Sequence, residues 1–205
     1  ITRQTKTRAT GIVSYWGSDP ATTRLNSLSR LVAGSDPTLM RALFEIRRAE
    51  ASDAESMAAA HLDSIRSIGP RYYEPAIVQD WGGRVEAGMY VRAMARGEVF
   101  FIAVDPHDHA AGVLGFSSHS QHGDAHGIGV YVRGSATRRG VGAALLHAAE
   151  ADALASGATT LGIDASLAAV DFYKRHGFVE TGRGSHRLWS GRSMSCVFMQ
   201  KDLRE

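Results

Sequence analysis

The stretch best equipped for chemistry is Val130-Tyr-Val-Arg-Gly-Ser-Ala-Thr-Arg-Arg-Gly-Val-Gly-Ala-Ala-Leu-Leu146. Val130 and Val132 start as a β-branched strand, Gly134 and Ser135 break it, and a helix opens at Gly140 and Gly142 and runs on through Ala143, Ala144, Leu145, Leu146 and Ala148. A helix N-terminus leaves about four backbone N–H groups unpaired and carries roughly half a positive charge. Glycines there let an anion approach the backbone, and Arg138 and Arg139 add charge. The chemistry on offer is a cradle for phosphate or pyrophosphate. Taken alone, a glycine pair before a helix also describes an ordinary turn. No Lys-Ser/Thr follows the second glycine, which excludes a nucleotide P-loop. Leu145 stands where the dinucleotide fingerprint G-x-G-x-x-G needs its last glycine.

A second group that could do chemistry is the run His119, His122, Asp124 and His126, because imidazole titrates near neutral pH. Its spacing through Gly and Ser is that of a loop, and no pair of His sits on one helix face. No metal site is expected, and most of these side chains are expected to be solvated. Cys196 is the one cysteine, which excludes an internal disulfide and a cysteine zinc cluster and fits a reducing cytoplasm.

The elements that must position these groups form one α/β unit. The chain has 205 residues, 44% hydrophobic and 21% charged, with a net charge of +2, which is ordinary for a soluble globular protein and no argument for nucleic acid. No apolar run approaches the roughly 18 residues of a membrane span, and the N-terminus lacks the apolar core of a secretory signal. Residues 1–42 read as an N-terminal extension, poorly ordered or irregularly packed. Arg3, Lys6 and Arg8 make it basic, Gly11, Gly17, Pro20, Gly34 and Pro37 interrupt it, and the chain opens on Ile1 with Met40 just before the first strand. Its alternative reading is a basic arm for RNA or a partner.

Residues 43–205 read as the folded domain. A strand at 44–48 leads to a helix with Ser52 and Glu55 as a capping box and Met57, Ala60, Leu62 and Ile65 as its apolar face. Gly69-Pro70 ends it. Pro75 opens a second helix, Gly82-Gly83 breaks it, and residues 84–95 make a third. Strands at 99–104 and 111–116 form an antiparallel hairpin, Ser117 to Asp124 is a polar connection, and the next strand ends at Val132. After the glycine loop and its helix come a strand at 159–164, a helix at 167–175, and strands from Phe178 and at 194–199. The sheet is therefore expected to be mixed.

The glycine loop, followed at a fixed place in this order by Ala165-Ser-Leu-Ala-Ala-Val-Asp-Phe-Tyr-Lys-Arg-His-Gly-Phe178, resembles the GCN5-related N-acetyltransferase (GNAT) superfamily over roughly residues 44–203. The Thr137-Arg-Arg-Gly-Val-Gly142 loop is similar to that of a bacterial subgroup in which Thr replaces the usual Gln or Arg. The resemblance implies a mostly antiparallel mixed sheet with helices on both faces, and acetyl-CoA as co-substrate with no metal. It implies that Thr137, Arg138, Arg139, Gly140, Val141, Gly142 and Ala143 grip the pyrophosphate. The backbone of Tyr131 and Val132 would meet the pantetheine arm, on a strand whose bulge Gly127 and Gly129 would tolerate. Ser166 either contacts the cofactor arm or caps the following helix.

Tyr173 is implied as the general acid, because a phenol of pKa about 10 can protonate a departing thiolate. Phe172 beside it reads as core. Relatives often carry a Glu on the strand before the loop; here that place is Gly129. The base is thus open between Asp124, His126, His122, His119 and water. Arg71, Tyr72, Tyr73, Trp81 and the run His186-Arg-Leu-Trp189 are candidates for the acceptor side. The implied activity is transfer of an acetyl group from acetyl-CoA to a primary amine of a small molecule or peptide, by direct attack in a ternary complex, in the cytoplasm. A homodimer is compatible with the chain. The missing carboxylate at Gly129 keeps a non-catalytic acetyl-CoA-binding or regulatory module as the alternative.

Overall fold

The computed structural model describes residues 44–108 and 112–204. The extension expected over residues 1–42 lies outside the described residues. The strands are β1 (Glu45–Arg48), β2 (Val99–Val104), β3 (Val113–His122), β4 (Ala125–Val132), β5 (Thr160–Ser166), β6 (Val179–Arg187) and β7 (Ser193–Asp202), and the helices are α1 (Ala54–Ile68), α2 (Pro75–Gly82), α3 (Ala87–Ala95), α4 (Val141–Ala155) and α5 (Val170–Arg175). One seven-stranded sheet runs β1-β2-β3-β4-β5-β7-β6. Every neighbouring pair is antiparallel except β4 and β5, which are parallel. The mixed, mostly antiparallel sheet expected from the sequence is what the chain forms. Among the described residues no helix is long and apolar enough to cross a membrane.

Strand alternation sends side chains to both faces, and both are covered. On one face Met57 and Ala60 of α1 and Tyr90 and Ala93 of α3 pack on Phe100, Ile102, Val113 and Phe116. On the other, Leu146, Ala149 and Ala153 of α4 and Tyr173 of α5 pack on Ile128, Leu161, Ala165, Val197 and Met199. Burial at this scale contributes about 25 cal/mol for each Å² of apolar surface, so these two interfaces carry most of the stabilisation.

Local expectations changed in two places. The capping box lies earlier than Ser52 and Glu55. A 3-10 turn at Ala51–Asp53 precedes α1, and the Asp53 carboxylate accepts the Glu50 N–H at 2.8 Å while Arg47 grips it with two bonds of 2.7 Å. Ser117 to Asp124 is not a polar connection: β3 continues to His122 and pairs with β4 through His122↔Ala125. Ser117, Ser118 and His119 are buried, and Ser117 and His119 have partners. Ser117 Oγ donates to the Leu145 carbonyl at 2.7 Å. His119 lies 2.8 Å from Asp152 of α4 and 2.9 Å from His126 of β4. Satisfied buried polar groups of this kind read as loop in a sequence but cost little in the fold.

His61 of α1 is the buried polar side chain with most at stake. It is 4% exposed, its Nδ1 lies 2.7 Å from the Tyr90 hydroxyl, its Nε2 has no protein partner among the described residues, and its ring sits 3.8 Å from that of Tyr131. Burial pushes its pKa down from the ordinary 6.5 to about 3. The unfolded chain takes up this proton near pH 6.5 and the folded chain does not. The contribution to stability is therefore complete above pH 6.5 and is lost as pH falls toward 3, at about 1.4 kcal/mol per pH unit. Urea denaturation at pH 7.5 and pH 5 should show the wild type losing about 2 kcal/mol relative to His61→Asn, which keeps a polar atom toward Tyr90 but takes up no proton. Parallel losses in the two proteins would show that His61 does not cause the acid sensitivity.

Candidate active site

The site is built where β4 leaves the sheet. Residues Gly134–Ala136 form a 3-10 turn after β4, and Gly140 takes the N-cap position of α4 at φ +81°. Gly134 is held from α1: its N–H donates to Asp63 Oδ1 at 2.7 Å, and a Cβ there would stand 2.7 Å from Ser67 Cβ. Arg133 fastens the strand end through Nε to the Val113 carbonyl at 2.7 Å. Arg138 is the one described non-glycine residue with positive φ, +58°, a conformation that costs about 1 kcal/mol or more in an L-residue. Both arginines of the loop are exposed.

The first bond back into α4 is Ala144 N–H to the Gly140 carbonyl, 3.1 Å. Val141, Gly142 and Ala143 precede it, so their N–H groups have no acceptor one turn back and project from the positive end of a 15-residue helix. The Thr137 hydroxyl donates to the Gly134 carbonyl at 2.8 Å and its N–H approaches the same oxygen at 3.4 Å. Both bonds shape the turn. Gly142 packs on the second motif: a Cβ there would lie 3.3 Å from the Phe172 ring and 3.6 Å from Val132 Cγ2. The two sequence motifs thus touch in space.

Beside this turn the sheet opens. Parallel pairing of β4 and β5 comprises His126↔Leu161 and Gly127↔Gly162, and then stops. β4 keeps its pairing with β3 through Gly115↔Val132 without a register shift, so the strand carries no bulge and the expected one is absent. The gap comes from β5 diverging. Arg133 N–H donates to the Leu114 carbonyl at 2.9 Å, and antiparallel strands alternate their bonded residues. Tyr131 and Gly129 therefore bond to β3, while the N–H and C=O of Val130 and Val132 point into the gap. The expected backbone contact at Tyr131 thus falls on a residue whose N–H and C=O are engaged with β3, and Val130 faces the gap beside Val132. Strand alternation alone could have indicated it.

Side chains close the gap from both faces. Tyr173, 2% exposed, enters from the α4 face between Phe172 and Phe178, with ring centroids 5.1 and 5.2 Å away. Its oxygen meets the Val130 N–H, and burial pushes its pKa above the ordinary tyrosine value. From the other face Tyr131 stacks on Phe116 at 5.3 Å, receives the Trp81 indole N–H, and is pushed up to about 12 by burial. Tyr73 bridges the open ends: its hydroxyl accepts the Leu167 N–H at 2.7 Å and donates to the Ser195 carbonyl at 2.8 Å. The β6–β7 turn docks on α2, where Ser190 Oγ donates to Asp80, and Arg84 stacks 3.6 Å above the Trp189 ring. Of the acceptor-side candidates, Tyr73 and Trp81 are joined into this wall, whereas Tyr72 and Trp189 are exposed.

Ser166 ends β5 and does not cap α5, whose N-cap is Ala169. Its carbonyl accepts the Ala169 N–H at 2.9 Å, so it closes a turn instead. Of the candidates for the base, His122 and Asp124 flank the β3–β4 turn, and His126 pairs with Leu161 where the strands are still joined, about 13 Å along the strand from Val130. His119, opposite Ile128 on β3, is held in the network with Asp152 and His126 described above.

This arrangement can hold an anion at one end, present backbone polar groups along a slot, and place a protonated phenol in the slot's wall. A family model described as "Acetyltransferase (GNAT) domain" matches residues 70–197. A GCN5-related N-acetyltransferase structure from Rhodopseudomonas palustris superimposes with a TM-score of 0.67 at 26% identity, covering 77% of this chain and 94% of that one. The PaiA N-acetyltransferase of Thermoplasma acidophilum, solved with coenzyme A, gives a TM-score of 0.61 at 16% identity over 78% of this chain and 98% of its own. The YncA protein of Salmonella typhimurium, solved with acetyl-CoA, gives 0.58 at 20% identity over 78% and 94%. No curated protein matches the chain. Because the family model spans more than half of the chain, and its match takes in both the anion-binding turn and the Tyr173 segment, the protein belongs to the GNAT family of acetyltransferases.

Proposed function

We propose that the protein transfers the acetyl group of acetyl-CoA to a primary amine by direct attack in a ternary complex, with residues 43–205 as the catalytic unit and 1–42 appended to it. The observation that carries this reading is the gap between β4 and β5, with the Val130 and Val132 backbone on one side and the Tyr173 hydroxyl against it. Two structural neighbours with the same fold were solved with coenzyme A or acetyl-CoA. The pyrophosphate would meet the N–H groups of Val141, Gly142 and Ala143 and the backbone of Arg138 to Gly140, with both arginine side chains free to reach toward phosphate. Thr137 keeps that turn in shape. The pantetheine arm would add its amides to Val130 and Val132 as a surrogate strand, near Ser166.

Attack requires an uncharged amine, and expulsion of the thiolate requires a proton. Tyr173 supplies the second: burial keeps the phenol protonated at neutral pH, and its place on the gap wall lets it donate to the leaving sulfur. A two-step route through Cys196 is disfavoured, because burial and the neighbouring Asp164 carboxylate push its thiol up to about 11, so it is not a nucleophilic thiolate at neutral pH.

Two outcomes test this reading. Thiol release from acetyl-CoA across a panel of polyamines, arylalkylamines, amino acids and peptides should find at least one acceptor, and with it Tyr173→Phe should lower kcat about 100-fold while leaving acetyl-CoA affinity unchanged. An unaltered kcat would remove Tyr173 as the acid. In calorimetry, Gly142→Val should weaken acetyl-CoA binding about tenfold or more, since the added carbons meet the Phe172 ring and shield the helix N–H groups; full affinity would place the pyrophosphate elsewhere.

A further inference from the structure

The carboxylate missing at Gly129 has a counterpart on the facing strand. Parallel pairing of β4 with β5 has a constant offset, His126↔Leu161 and Gly127↔Gly162. Continued by two residues, it sets Gly129 opposite Asp164, at the level where the strands part. Asp164 lies on the face opposite α4 and α5, because its neighbours Ile163 and Ala165 pack into the core beneath those helices. Its cross-strand partner on β7 is Phe198, and the next pair along is Ser166↔Cys196. The Asp164 charge helps push the Cys196 thiol up, and beside that pair the Tyr73 hydroxyl joins the Ser195 carbonyl to the Leu167 N–H. The carboxylate therefore belongs to the same constellation as the phenols, on the side where α2 and the β6–β7 turn form a wall.

We propose that Asp164 receives the ammonium group of the acceptor and takes its proton, the task that a Glu at position 129 would otherwise perform. The proposal rests on the acetyl-transfer reading above. An ammonium N–H proton passes to the Asp164 carboxylate and on to water at the open face. The freed lone pair forms the C–N bond at the thioester carbonyl carbon, the C–S bond breaks, and the sulfur takes the Tyr173 proton. The second proton of the attacking nitrogen returns to the Tyr173 oxygen, so one proton is released to solvent for each turnover. The acceptor class is a primary amine that is cationic at neutral pH, entering from the α2 side of the sheet.

The test is Asp164→Asn, which preserves shape, assayed with the best cationic amine of the panel and with hydroxylamine, which is uncharged at neutral pH. Acetyl-CoA affinity should be unchanged. With the cationic amine, kcat/KM should fall about 100-fold at pH 7, the deficit should shrink as pH rises toward the amine's own pKa, and hydroxylamine should show little loss. Asp164→Glu should recover part of the activity. A wild type that takes up no acetyl-CoA overturns the acetyl-transfer reading itself. A wild type that turns over while Asp164→Asn matches it, or shows the same deficit at every pH and with hydroxylamine, overturns the assignment of Asp164 alone.

Discussion

The structure depends on β5 leaving β4 after a single stretch of parallel pairing. A sheet ordinarily satisfies every backbone N–H and C=O by its neighbour, and a group buried without a partner costs about 1–3 kcal/mol. At Val130 and Val132 those groups face a gap. The chain tolerates this because β4 stays in register with β3 over its whole length, and because Tyr173 brings a hydroxyl to the Val130 N–H. What the fold leaves without a strand partner is what an extended ligand with amides can satisfy, so recognition of such a ligand follows from an incomplete sheet.

The gap needs rigid walls, and these come from contacts distant in sequence. Tyr73 ties the end of β5 to β7 through one hydroxyl that both accepts and donates. Asp63 of α1 holds the turn after β4 by the Gly134 N–H. The turn itself is kept by Thr137 bonding to the Gly134 carbonyl, and Gly142 lets the start of α4 rest on Phe172. The start of α4 and the Phe172-Tyr173 segment are thus set relative to each other by direct packing, not by a flexible linker.

Polar residues inside this fold fall into two kinds. The Asp152–His119–His126 chain and Ser117 are partnered and join α4 to β3 and β4, away from the gap. His61, Tyr90, Tyr131 and Trp81 form a second group under α1 and α3, on the gap's far side. The first extends the sheet past the point where a polar sequence reads as its end. The second fixes the ring of Tyr131, and so helps hold the strand from which the slot is made.

Much of the fold was legible in local pattern. The glycines of the loop, the alanine-rich helix after it and the Phe172-Tyr173 run are contiguous signals, and they identified the family and the element order. The strand at Ser117–His122 was not legible, because whether a polar residue is solvated or partnered depends on Leu145 and Asp152, which touch it in the fold but lie 28 and 33 residues off in sequence. For the same reason local pattern could not show that His119 and His126 are bonded to each other and to Asp152. Sequence by itself determined which residues could cradle an anion and donate a proton, since those properties belong to residue types in short runs. Only the tertiary structure decided that Val130 faces the gap where Tyr131 does not, because that depends on the pairing register between strands that the chain brings together from afar.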